Sequence, residues 1–272
     1  MTRSGVAVIT GAARGQGRSH AEALAADGYD IIAIDLCTDI ESIPYPLATP
    51  EDLDETADLV RSHGRRVVTE IADVRSFTQL STAVRSGVGE LGDIDAVVAN
   101  AGVVAMGKPD PDDERLYHDI VDTNLNGAWH TIAATIPSLI RKGSGGSIIL
   151  VSSMQGLVGR GGDGSAAAFA YAASKHGVVG LMRSAATAYA SHNIRVNSVH
   201  PTGVGTPMIF NEHMASVFAE NPEHLSGMSG NLLPIPFIEP VDVTNVVTFL
   251  VSDKARYITG VTLPVDAGYA VM

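Results

Sequence analysis

The stretch "VAVITGAARGQGRSH", Val6 to His20, sets a short β-branched run against a glycine-rich turn that leads into a segment of helical composition. Gly11, Gly15 and Gly17 follow the run with three and then one residue between them. Glycines placed there serve either a tight chain reversal or a cradle in which backbone N–H groups approach a pyrophosphate at a helix N-terminus. The glycines alone do not choose between the two.

The rest of the chain supplies the context. Further β-branched runs at 30–34, 66–71, 95–99, 147–151, 194–199 and 261–265 read as strands, and Ala/Leu-rich stretches near 15–27, 50–63, 76–89, 112–141, 166–191 and 240–252 read as helices. The strands are nearly unbroken in apolar character, as in a sheet buried on both faces. This alternation predicts an α/β protein, a single-domain Rossmann fold whose doubly wound, seven-stranded parallel sheet carries helices on both faces. No Pro/Ser-rich or charge-rich linker divides the 272 residues, so one domain is expected over 1–272.

Composition narrows the partners. Eighteen Lys+Arg against 30 Asp+Glu give a net charge of −12, which repels nucleic-acid phosphates and anionic lipid heads. Neither nucleic acid nor membrane is expected, and the absence of a long apolar run predicts a cytoplasmic protein. The single cysteine, Cys37, reads as core filler, and the nine histidines show no metal-ligand spacing, so no metal is expected.

Asp35 ends the second strand about 20 residues beyond the glycines, where a carboxylate accepts hydrogen bonds from ribose hydroxyls and repels a 2′-phosphate. Arg14, inside the turn, argues the other way, but no basic residue follows Asp35 to share that role. The expected cofactor is NAD. Asp73 and "ANAG" (99–102) close the third and fourth strands, at the sheet edge where open α/β sheets bind ligands.

"YAASK" places Tyr171 and Lys175 one helical turn apart on one face. A nearby ammonium lowers a phenol's pKa from about 10 toward the range of a working base. "VSSMQG" brings Ser152 and Ser153 to the end of the preceding strand, and "DTNLNG" puts Asn124 in the helix before it. A serine hydrolase is the competing chemistry, but the chain has no GxSxG elbow.

Together, "TGAARGQG", Asp35, Asp73, "ANAG", Asn124, Ser153, "YAASK" and "HPTGVGTPM" resemble the short-chain dehydrogenase/reductase family over essentially the whole chain. The resemblance implies hydride transfer between a nicotinamide and a carbinol or carbonyl carbon. By it, Tyr171 is the general acid/base, Ser153 hydrogen-bonds the substrate oxygen, Lys175 binds the nicotinamide ribose and lowers the tyrosine pKa, and Asn124 holds a proton-relay water. Asp73 and Val74 meet adenine, Asn100 and Gly102 line the cofactor, and Thr206 contacts the carboxamide. Arg14, Gln16, Leu36, Pro201 and Gly203 complete the expected cofactor contacts.

"AIDLC", "PYPLATPEDLDET" and "KHGVVGLMR" are similar, more narrowly, to the mycofactocin-coupled subgroup that includes carveol-dehydrogenase-like proteins. That implies an external electron carrier, the wider family resemblance implies a homotetramer, and the apolar residues of 204–237 point to an apolar alcohol or ketone substrate. A non-catalytic NAD-binding regulator of the same fold is the alternative. The segment 36–53 reads as an insertion after the second strand, either an apolar cover over the cofactor or a surface loop capping the next helix. The segment 204–237, rich in Met, Phe, Leu and Ile, stands where the family carries a substrate lid.

Overall fold

The computed structural model describes residues 5–106, 113–159, 162–220 and 230–271. Seven parallel strands form one sheet, β1 (Gly5–Thr10), β2 (Tyr29–Asp35), β3 (Val67–Ile71), β4 (Ala96–Ala99), β5 (Gly146–Val151), β6 (Ile194–Pro201) and β7 (Thr262–Val265), in the order β3-β2-β1-β4-β5-β6-β7. Side chains alternate between the faces of each strand. Ala7 and Ile9 therefore join Ile31, Val98 and Ile149 in one core, while Val8 joins Ile32, Val97 and Ile148 in the other. The first core is closed by α1 (Gly15–Ala26), α2 (Pro50–Ser62) and α8 (Pro240–Val251), the second by α3 (Phe77–Leu91), α5 (Gly127–Lys142) and α6 (Ala166–Tyr189). This is a Rossmann fold. Thr10 lies beside Ala99 in register, so the order of the sheet reverses between β1 and β4 and opens a crevice at their carboxyl ends.

The segment read as one helix over 112–141 is not uniform. α4 (Glu114–Val121) passes through a π turn, Asp122–Asn126, before continuing as α5. The widened turn draws Asn124 inward until it is 2% exposed, where a regular surface helix would leave it in water. The segment 204–237 leaves and re-enters the sheet edge at one point, through the parallel bridge of Val204 to Ile238. Within it α7 (Glu212–Glu220) packs by the buried Met214 and Val217; Leu225 and Met228 lie outside the described residues. No helix among the described residues is long and apolar enough to cross a membrane.

His20, on α1, is fully buried against α8. Thr244 Oγ1 donates to the Pro240 carbonyl at 3.0 Å and so accepts from His20 Nδ1 at 2.8 Å, leaving Nε2 without a partner. A second proton would face the core unpaired, and burial pushes the imidazole down to about 3. The unfolded chain takes up that proton near pH 6.5, so stability falls with acid from about pH 6.5 toward 3. At pH 5 this costs about 2 kcal/mol. In His20→Gln, the loss of unfolding free energy between pH 7 and pH 5, measured by urea denaturation, is expected to shrink by about that amount.

Candidate active site

The glycine turn is shaped by what lies beneath it. Gly11 sits at φ +67°, and a Cβ there would come within 2.8 Å of Ala101 Cα; one on Gly17 would run into the Gly11 carbonyl oxygen. Asn100 Nδ2 donates to the Thr10 and Gly11 carbonyls at 3.1 Å, tying β4 to the turn. Asp35 Oδ2 accepts from Ala13 N at 2.9 Å, which leaves the carboxylate at the mouth of the crevice with acceptor capacity to spare. The cleft is lined by Gly11, Arg14, Gly15, Gln16, Asp35, Leu36, Asp73, Val74, Asn100, Gly102 and Thr206, all of them expected from sequence. Pro201 and Gly203 fall elsewhere, lining the neighbouring cavity at the end of β6.

Asp73 is held rather than free. Arg75 clamps its carboxylate through Nε, at 2.9 and 3.1 Å, and through Nη2, and reaches Asp119 on α4 with Nη1 at 2.6 Å. Asp119 in turn accepts from Ser42 Oγ at 2.7 Å, within the inserted segment. That segment folds inward. Ile40, Ile43 and Tyr45 are buried with Val103, Ala105, Ile120, Ala167 and Ala170, and Ile40, Tyr45, Leu47 and Ala48 form one wall of the cleft. Tyr45 Oη accepts from Val104 N at 3.3 Å, and Arg14 Nη2 donates to the Pro46 carbonyl at 2.8 Å. Thr49 caps α2 through a reciprocal box with Asp52, so the segment both lines the cleft and starts the next helix.

The reactive serine and tyrosine lie on a second cavity of about 710 Å³, which shares Gln16, Thr206 and Met208 with the cleft. Ser153 and Tyr171 both line that cavity, the Ser153 hydroxyl close enough to favour ionisation of the phenol. Ser152 is committed elsewhere, its Oγ donating to the Lys175 carbonyl at 2.9 Å, which leaves Ser153 as the serine paired with the phenol. Lys175 Nζ donates to the Val151 carbonyl at 3.0 Å and lies 5.6 Å from the Tyr171 ring centroid. Asn124 grips Val103 from both sides, its Oδ1 accepting from N at 2.8 Å and its Nδ2 donating to O at 2.9 Å. A Cβ built on Gly102 would sit 3.2 Å from Asn124 Oδ1 and 3.4 Å from Lys175 Nζ, so the three residues share one wall.

The electrostatics correct one expectation. Burial pushes the Tyr171 phenol above its ordinary value, against the hydrogen bond from Ser153, whereas the sequence reading had Lys175 lower it. Lys175 is buried as well and is itself pushed down to about 8, with its Nζ directed at the Val151 carbonyl. The pair rests as phenol and ammonium at neutral pH.

The family model for short chain dehydrogenases matches residues 5–215. The chain belongs to the short-chain dehydrogenase family. It is similar to the (-)-trans-carveol dehydrogenase of Rhodococcus erythropolis, at 47% identity over 271 residues, 97% of this chain and 96% of that protein. Among solved structures, carveol dehydrogenase from Mycobacterium avium in complex with NAD is 47% identical with a TM-score of 0.92, covering 98% of each chain. A short chain dehydrogenase from Mycobacterium paratuberculosis bound to NAD is 41% identical with a TM-score of 0.88, again over 98% of each chain.

In this short-chain dehydrogenase several site residues escape a reading of the sequence. His200, fully buried on β6, donates from Nδ1 to the Ser153 carbonyl at 2.8 Å while Nε2 meets Ser198 Oγ at 2.8 Å, which fixes the backbone that carries Ser153. Arg18 donates to the Ala13 carbonyl at 2.7 Å and pairs with Glu55 at 2.6 Å, pinning the glycine turn to α2. His130 donates to the Val74 carbonyl at 2.7 Å, steadying the cleft beside Asp73. The only signal for His200 was its place directly before "PTG".

Proposed function

We propose that the protein is an NAD-dependent oxidoreductase that interconverts a neutral, apolar secondary alcohol and its ketone, with Tyr171 as acid and base. The observation that carries this reading is the placing of Ser153 and Tyr171 together on the wall of an apolar cavity that adjoins the glycine-turn cleft. NAD, when bound, supplies the hydride acceptor or donor. Tyr171 delivers a proton to the carbonyl oxygen or removes it from the alcohol, Ser153 holds that oxygen by hydrogen bonding, and Lys175 secures the ribose and keeps a positive charge near the phenol. Asn124, bound to Val103, fixes the wall along which a proton reaches Lys175.

The cavity sets the substrate class. Met106, Met154, Phe169, Met208 and Ile209 give adaptable apolar walls, and no Arg, Lys or His stands among its described lining residues to meet an anion. A terpenoid- or steroid-sized alcohol fits both the walls and the volume. Incubating the protein and NAD with a panel of alicyclic secondary alcohols, and following absorbance at 340 nm, tests the reading. Reduction by a panel member supports it, while NAD binding with no reduction by any alcohol marks a regulator.

Asp35 excludes the 2′-phosphate, and Arg14, the one cation beside it in the turn, is taken up by the Pro46 carbonyl. Asp35→Asn keeps an acceptor for Ala13 N but loses the charge. It is expected to narrow the preference for NADH over NADPH by about tenfold to a hundredfold, the worth of a hydrogen bond to a charged group. Fluorescence titration of both nucleotides at one salt concentration measures this, and equal affinities in the wild type would refute the role.

The inserted cover supports a cofactor held through successive turnovers and re-oxidised in place by an external carrier of the mycofactocin type. A homotetramer fits the apolar surface left at Trp129 and Phe77 on one side and at Tyr257 and Val271 on another, and sedimentation equilibrium measures it.

A further inference from the structure

The ladder between β5 and β6 stops just short of the reacting serine. Its last bond runs from Ser152 N to the Val199 carbonyl at 2.9 Å, and Pro201, which stands where β6 would donate next, has no N–H to give. Beyond that point a side chain joins the strands. Ser198 and His200 alternate with Val199 along β6, so they share one face, and both are fully buried. His200 Nδ1 lies 2.8 Å from the Ser153 carbonyl, and because a carbonyl only accepts, the ring proton is on Nδ1 and bare Nε2 accepts from Ser198 Oγ at 2.8 Å. Burial pushes the imidazole down to about 4, so this one tautomer persists at neutral pH.

Ser153 is thereby gripped from two sides. Its carbonyl also accepts from Gly156 N at 2.9 Å, and its Oγ accepts from Gln155 N at 3.2 Å, both within its own short turn. The His200 bond ties that turn to the sheet. With Gln155 N donating to Oγ, the hydroxyl proton of Ser153 is left for an oxygen in the cavity. His200 itself lines neither the cleft nor the cavity, so what it does for the reaction passes through Ser153.

We infer that His200 is a positioning residue, whose Nδ1–H bond sets the peptide plane of Ser153 and with it the direction in which the serine hydroxyl meets the substrate oxygen. The inference rests on the alcohol–ketone reading above.

Two polar replacements separate the two ends of the ring. Asn places its amide near the position of Nδ1 and keeps a donor for the Ser153 carbonyl, whereas Gln, one methylene longer, places it near Nε2 and meets Ser198 instead. Each is made in the wild type and in Ser153→Ala. The rate constant kcat/KM is measured with NAD and the alicyclic alcohol that the wild type oxidises fastest, and melting temperatures are taken alongside. His200→Asn is expected to stay within about threefold of the wild type and His200→Gln to lose about tenfold to a hundredfold, the scale on which a displacement of about 1 Å costs rate. In Ser153→Ala the two replacements are expected to differ by less than about twofold, because the group they position is gone. His200→Leu, which removes the donor and adds no polar group, takes the place of His200→Gln if that variant fails to fold, with the same expectation. A strut that served only the fold would follow the melting temperature and act equally in both backgrounds. Equal rates for the Asn and Gln variants in the wild-type background, or a Gln deficit that persists undiminished in Ser153→Ala, overturns the inference. Failure of the wild type to oxidise any alcohol overturns the alcohol–ketone reading itself, and the inference with it.

Discussion

Replacing Tyr171 by phenylalanine is expected to lower kcat by about 10³-fold or more while the protein still folds and binds NAD. The change removes one hydroxyl from a partly buried ring, so the volume packed against the cluster of Ala167 and Ala170 is nearly preserved. What goes is the proton. The Tyr171 phenol sits above its ordinary pKa because burial outweighs the hydrogen bond from Ser153, which suits it to hold a proton until a carbonyl oxygen takes it. Positioned general acid–base groups contribute about 10² to 10⁴ in rate, and among the described residues Asp163 is the only Asp or Glu that lines the cavity. Asp163 Oδ1 is occupied, accepting from Ser165 N at 2.9 Å and from Ser165 Oγ at 2.6 Å. Steady-state kinetics, with circular dichroism and nucleotide binding as controls, decide the matter. A variant with near-wild-type kcat would remove Tyr171 from the mechanism, and a variant that no longer binds NAD would show that the hydroxyl serves the cofactor first.

The architecture was legible because periodicity and turn chemistry agree along the whole chain. Val6–Ile9 alternate between two cores, the glycine turn follows directly, and Asp35 closes the next strand, each a local signal that needs no knowledge of distant contacts. The π turn at Asp122–Asn126 was not legible, since its residues carry the same helical composition as their neighbours and only packing reveals the extra residue. His200 was hidden for a related reason. Its neighbours spell an ordinary buried strand, and its bond to the Ser153 carbonyl joins positions 47 residues apart. The direction of the Tyr171 shift depends on how deeply both members of the pair are buried, and spacing along a helix carries no depth. The inserted segment offered two readings because its prolines and its apolar residues speak for different structures. In the fold Thr49 caps α2 and Tyr45 is turned inward.

Tyr45→Ala is expected to speed NAD release by about a hundredfold. Where the segment 36–53 gates the cofactor, release requires it to lift from the cleft, and lifting exposes Ile40, Ile43 and Tyr45, which are each less than a tenth exposed. Truncating a large buried aromatic costs about 3 kcal/mol or more. Where that cost falls on the closed segment alone, the open population rises by the corresponding factor of about a hundred. The remaining pins set the scale of the control. Glu41 and Arg115 pair at 2.6 Å on the surface, where solvent screening leaves such a pair weak, whereas Ser42 reaches the partly buried Asp119–Arg75–Asp73 chain. Ser42→Ala is therefore expected to accelerate release by several-fold at most, through one lost hydrogen bond. Chasing labelled NAD from the pre-formed complex with excess unlabelled nucleotide measures the rates, and thermal denaturation of each variant separates local opening from general loss of stability. If Tyr45→Ala releases NAD at the wild-type rate while its melting temperature falls, the segment serves the core and does not gate the cofactor. If release accelerates with little change in melting temperature, opening of the segment governs how long the cofactor stays, and an external carrier must meet the reduced nucleotide inside the closed protein.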